Sequence, residues 1–170
     1  GFSRSEAVVA VMNLDGEHLS EIERLPGHGL YGAARANILV PFGERLLVSA
    51  TKGRLFTGDG VKAELLEYSA DGDPVRRLAL PLSRSAIRPS DRDAILESHR
   101  RQDTSDAWMD ALDAAFRADS FPAFDRLEAS SDGRLWLRRH GGMERPSEWL
   151  AIDLIQGEGR PLVLPGGTEI

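Results

Sequence analysis

The sequence predicts an all-β chain with a helical insertion, its strands grouped into four-stranded antiparallel units that match the blades of a β-propeller in size and order. Three observations carry this. Asp15-Gly16, Asp71-Gly72 and Asp132-Gly133 each separate short runs rich in β-formers. Two long stretches match one another element by element. A single segment between those stretches changes from strand-like runs to helical periodicity.

The Asp-Gly pairs read as hairpin turns. A two-residue turn wants positive φ at both central positions, which Gly adopts freely and Asp more readily than most residues. The N-terminal unit, residues 7–26, has two strands about Asp15-Gly16 and closes on Leu25-Pro26, so it is half a blade. The unit at 45–81 reads RLLVSAT, KG, RLFTGDG, AELLEYSA, DG and DPVRRLALP. The unit at 124–165 repeats that order with DRLEASS, DG, RLWLRRHGG, SEWLAIDLI, QGEG and RPLVLP. Phe56 matches Trp136, and both units close on Leu-Pro. Units of about 40 residues with four short strands are propeller blades. Stacking them buries both faces of each sheet, which accounts for strands such as LAIDLI that do not alternate strictly.

Residues 90–118 form the helical insertion. Ser90-Asp91-Arg92-Asp93 has the layout of a capping box, with Asp in place of the usual Glu. Helix is predicted from Asp91 to about Arg101, then again from Asp106 to Arg117 after a polar break. Trp108, Leu112 and Phe116 recur at i, i+4 and i+8, a single apolar stripe expected to pack on a sheet.

Composition narrows the function classes. The net charge of −6 makes nucleic acid an unfavourable partner. No apolar run approaches the ~20 residues of a transmembrane helix. The chain has no cysteine, which removes disulfides and thiolate chemistry and leaves the compartment open. A signal upstream of Gly1 would place the full-length protein outside the cytoplasm, in the periplasm or cell envelope.

The residues Ser131-Asp132-Gly133-Arg134-Leu135-Trp136, then Trp149-Leu150-Ala151-Ile152-Asp153 and the closing Leu164-Pro165, resemble blades of the six-bladed, NHL-like β-propeller proteins of bacteria. Tyr68-Ser69-Ala70-Asp71-Gly72 is a weaker version. The resemblance covers about two and a half blades. A six-bladed ring takes roughly 240 residues, so the resemblance implies that the rest comes from a longer chain or a second subunit. Some propellers of this kind are metal-dependent lactonases or phosphotriesterases that hold a divalent cation with Glu, Asn and Asp. Here Asn13 and Asn37 are the only asparagines, and neither falls at an axial position of the blade pattern. No metal site is carried over and no cofactor is expected.

Other chemistry is sparse. Asp71-Gly72-Asp73 and Gly58-Asp59-Gly60 lack the spacing of a calcium loop. His18, His28, His99 and His140 form no metal-ligand pair; His99 is expected on a solvated helix face, and only His140 falls in a blade loop. No nucleophile elbow or phosphate-binding loop is present. Arg134, Trp136 and Arg138 share one strand face and are expected to pack between blades. If the first strand of each unit is innermost, Arg45, Ser49, Arg126 and Glu128 face the central channel. With His140 they are the expected ligand-binding residues. The expected function is a non-catalytic binding or scaffold propeller whose loops and channel mouth take a protein or small-molecule ligand. The competing expectation is a metal-dependent hydrolase with ligands partly in further blades.

Overall fold

The computed structural model describes residues 1–12, 15–33, 36–102, 105–139, 148–154 and 159–163. Within them the chain is mostly β, with three antiparallel sheets and two helices. The first sheet holds β1 (Phe2–Met12), β2 (His18–Ala33) and β3 (Ala36–Leu39). The second holds β4 (Leu47–Thr51), β5 (Arg54–Gly58), β6 (Glu64–Ser69) and β7 (Pro74–Ala79). Helices α1 (Pro89–Arg100) and α2 (Asp106–Ala115) follow. The third sheet holds β8 (Arg126–Ala129), β9 (Arg134–Arg139), β10 (Glu148–Asp153) and β11 (Gly159–Val163). Each sheet is a meander in which strands pair in chain order. Among the described residues no helix is long and apolar enough to cross a membrane.

Short turns enforce the meanders, but the Asp-Gly turns are not of the expected kind. At Asp71-Gly72 and Asp132-Gly133 only the glycine has positive φ, 89° at both. The Gly72 amide donates to the Ser69 carbonyl at 3.1 Å, and the Ser69 amide donates to the Asp73 carbonyl at 2.9 Å. Gly133, Ser130 and Arg134 repeat the pattern at 3.1 and 2.9 Å. That is a turn with glycine in the bulge position, which leaves Asp on the ordinary side of φ. The two-residue turn with both positions positive occurs instead at Lys52-Gly53, with φ of 49° and 70°.

The second sheet lies between the other two. Its Phe56 and Leu65 pack against Leu127, Leu135, Leu137, Leu150 and Ile152 of the third sheet, with Ala123 and Phe124 in the same core. The first strands of the two sheets meet. Ser49 Oγ accepts the Ala129 amide at 2.8 Å, and Thr51 Oγ1 donates to the Ser130 carbonyl at 3.0 Å.

The opposite face of the second sheet turns to the first. Tyr68, one residue on from buried Glu67, points the other way because strand side chains alternate. Its hydroxyl donates to the Glu23 carboxylate of β2. Burial, with the Glu23 carboxylate adding to it, pushes the Tyr68 phenol from 10.0 up to about 12. Between those two values the unfolded chain releases this proton and the folded chain keeps it. Stability from Tyr68 is therefore complete below pH 10.0 and is lost as pH rises through about 12. The loss is expected to reach ~3 kcal/mol. Urea unfolding from neutral to strongly alkaline pH should show the loss in the parent and not in Tyr68→Phe. Equal slopes in the two would contradict the assignment.

The first sheet runs further than the 7–26 half unit, because β2 continues through Leu25-Pro26 to Ala33. Pro26 pairs opposite Glu6 beside a break in register. There a missing ladder N–H costs little. Ser5, at that break, accepts the His28 amide on its hydroxyl at 2.8 Å.

The helical insertion is closed at its base. The Ile87 amide donates to the Asp119 carbonyl at 3.0 Å, and the Phe121 amide donates to the Ser85 carbonyl at 2.8 Å. α1 begins at Pro89, earlier than the expected box at Ser90. Arg88 is the N-cap, and its amide donates to the Asp91 carboxylate at 3.0 Å. Proline without an N–H suits the first helical turn, and Asp91 is thereby the third helical residue rather than the first, taking the place expected of Asp93. The expected stripe packs onto the first sheet: Leu112 and Ala115 join Leu96 and Ile38, flanked by Trp108 and Phe116. His99 is half-buried and packs against Trp108 with ring centres 4.8 Å apart and planes tilted by 53°, rather than facing solvent.

Candidate functional site

Three loop segments and the His28–Gly29 stretch of β2 converge where the first sheet meets the other two. The 40–46 connection leads from β3 into β4 and is pinned throughout. The Gly29 amide donates to the Glu44 carbonyl at 2.9 Å, the Val40 amide to the Gly29 carbonyl at 3.0 Å, and the Arg45 amide to the Asp59 carbonyl at 3.1 Å. Phe42, a non-glycine residue at φ 56°, is held by an edge contact with Phe121 at 4.6 Å. Such a backbone costs energy and persists only when its surroundings impose it. The 59–60 loop is tied to the 122–125 segment, because the Gly60 carbonyl accepts the Ala123 amide at 2.7 Å.

Between these segments lies a cavity of about 280 Å³. Phe42, Phe124 and Pro122 supply apolar wall, and His28, Glu44, Arg45, Asp59 and Asp125 supply the charged and titratable groups. The carboxylates already have partners inside the protein. Glu44 pairs with Arg4 at 2.7 Å. Asp59 Oδ1 accepts the Val61 and Lys62 amides at 3.0 and 2.8 Å. Asp125 accepts a fork from Arg138 Nε and Nη2 at 2.7 and 3.0 Å. Arg45 is exposed and has no ion-pair partner among the described residues. The wall can therefore present one guanidinium to a ligand while Glu44 and Asp125 are ion-paired and Asp59 is held by turn amides. Among the described residues no three histidine, aspartate or glutamate side chains are grouped so as to hold a metal ion.

The expected ligand-binding residues are distributed unevenly about this cavity. Arg45 lines it. Ser49 and Glu128 lie on the adjoining first strands, with Ser49 bridging to Ala129 and Glu128 accepting from Arg126 at 2.8 Å. Arg126 follows Asp125 of the wall and turns to Glu128. His140 lies outside the described residues. Of the shared face on β9, Arg138 is committed to Asp125 and Arg134 to Asp132 at 3.0 Å. His28, Glu44, Asp59 and Asp125 were not expected at the site. The sequence signals only that Pro41, Gly43 and Gly60 punctuate the chain there, which marks loops without saying that they meet.

No protein-family model, curated protein or solved structure matches the chain.

Proposed function

We propose that this chain is a non-catalytic binding domain of β-propeller type, akin to the NHL-like family it resembles, that takes its ligand in the cavity at the mouth between sheets. The observation that carries the reading is the meeting of β4 with β8 through Ser49 and Ala129, with the faces behind them packed in one core. First strands side by side and later strands fanning outward are what neighbouring blades of a propeller require. A rigid scaffold with convergent loops is a common basis for binding.

The state of the carboxylates favours binding over carboxylate-based catalysis. A general base needs a free, tuned carboxylate or imidazole beside the reacting atom. Glu44, Asp59 and Asp125 are instead engaged by Arg4, two turn amides and Arg138. The test has two parts. Amide shift mapping with amino acids, monosaccharides and short dicarboxylic acids is expected to perturb residues 28–29, 42–45, 59–60 and 123–125. Shifts confined to other parts of the molecule would overturn the site. Thermal unfolding with millimolar calcium, manganese or zinc is expected to be unchanged, with no hydrolysis of phenyl acetate or a γ-lactone. Metal-dependent stabilisation together with turnover would replace this reading with the metal-dependent hydrolase.

A further inference from the structure

We infer that a second, more open cavity on the other side of the Val40–Glu44 loop binds a small organic anion, a carboxylate or phosphate carried on an apolar body. This inference does not depend on the proposed function of the first cavity. The second cavity has a volume of about 460 Å³ and lies between the start of β1, the loop and the base of the helical insertion. Arg4, Arg84, Arg117 and Glu44 line it, with Phe2 and Phe42 as its aromatic walls. Three guanidinium groups thus face one carboxylate, in a chain whose net charge is −6.

The three arginines are held differently, and the difference points to an anion. Arg4 is neutralised by Glu44 at 2.7 Å. Arg84 donates to the Phe121 and Ser120 carbonyls, both at 3.1 Å. Those neutral acceptors orient its fork without cancelling its charge. The guanidinium of Arg117 sits 4.0 Å from the centre of the Phe2 ring. Stacking on an aromatic face leaves the in-plane N–H donors open toward the rim. Among the described residues neither Arg84 nor Arg117 has a carboxylate partner, whereas Arg92 and Arg138 are paired with Asp113 and Asp125. A planar fork of donors matches a carboxylate or a phosphate. Phe2, Phe42, Val40 and Val61 offer apolar surface for the body that carries it.

The probes are phenyl phosphate, benzoate and the neutral phenol, titrated calorimetrically into the 170-residue chain at low salt. One or both anions are expected to bind at least about tenfold tighter than phenol. The stronger anion identifies whether the natural headgroup is phosphate or carboxylate. Amide shifts should centre on Phe2, Val61, Arg84 and Arg117. Arg117→Gln, which removes a stacked charge and no core contact, should weaken the anion about tenfold without moving the thermal midpoint. Phenol binding as tightly as both anions would overturn the inference. So would shifts confined to His28, Asp59, Phe124 and Asp125, which would place the anion in the first cavity. The wild-type preference and shift map decide the matter even if the variant folds poorly.

Discussion

Arg76→Ala is expected to destabilise the fold by ~3 kcal/mol, at the lower end of the ~3–5 kcal/mol seen when one partner of a buried ion pair is removed. Glu67 is only 1% exposed, on the face of the second sheet that also carries Phe56 and Leu65. Arg76 Nε meets one of its carboxylate oxygens at 2.6 Å, and Arg54 meets the other at 3.1 Å. Arg76 also donates to the Leu154 carbonyl at 3.1 Å, tying β7 to the end of β10. Removing it leaves a buried carboxylate with half of its compensation and an unanswered carbonyl. Arg54 remains, which is why the lower figure applies. Glu67→Leu combined with Arg76→Ala should recover much of the loss, because the stranded charge is then gone. Urea unfolding of the two single variants and the double variant gives the comparison. Additive losses would mean that the pair does not act as a buried unit.

Gly60→Ala is expected to cost ~2–5 kcal/mol, the sum of a left-handed backbone penalty of ~1–2 and a steric one of ~1–3. Its φ is +73°, and an added Cβ would lie 2.6 Å from the Phe124 carbonyl oxygen. That oxygen is backbone and cannot rotate away. The 59–60 loop or the 122–125 segment would have to move, and both line the first cavity. Gly53→Ala is the comparison, with φ of +70° but nothing nearer to its Cβ than Ala70 Cβ at 3.7 Å. It should cost only the backbone part, ~1–2 kcal/mol. Thermal and urea unfolding of both variants separate the two contributions. If Gly60→Ala is no worse than Gly53→Ala, the close approach of the segments is not tight in solution.

These predictions concern contacts that pattern reading does not reach. Glu67 sits among strand-formers in AELLEYSA, where alternation alone puts it on the same face as Leu65. A charged residue at that position reads as a solvated face until Arg54 and Arg76 are seen to close over it. A capping box was legible, but not its register, because Arg88 and Pro89 start the helix before the serine that looked like its N-cap, and Asp91 rather than Asp93 takes the third helical position. The Asp-Gly turns were legible as turns and not as bulges, since both geometries favour glycine at the same place.

What the sequence determined by itself is local: strands that alternate about short turns, the order of the two four-stranded units, and the Trp108–Leu112–Phe116 stripe. Each follows from side-chain period and from the backbone freedom of a few residues, and needs no distant partner. Tertiary structure alone decided that Pro26 lies inside a strand beside a bulge and that Phe42 takes a left-handed backbone. It likewise brought His28, Glu44, Asp59 and Asp125 to one cavity. Those positions are separated along the chain by whole strands and by the helical insertion. Only the stacking of one sheet against the next brings their loops together, and that stacking depends on buried faces whose partners no local pattern names.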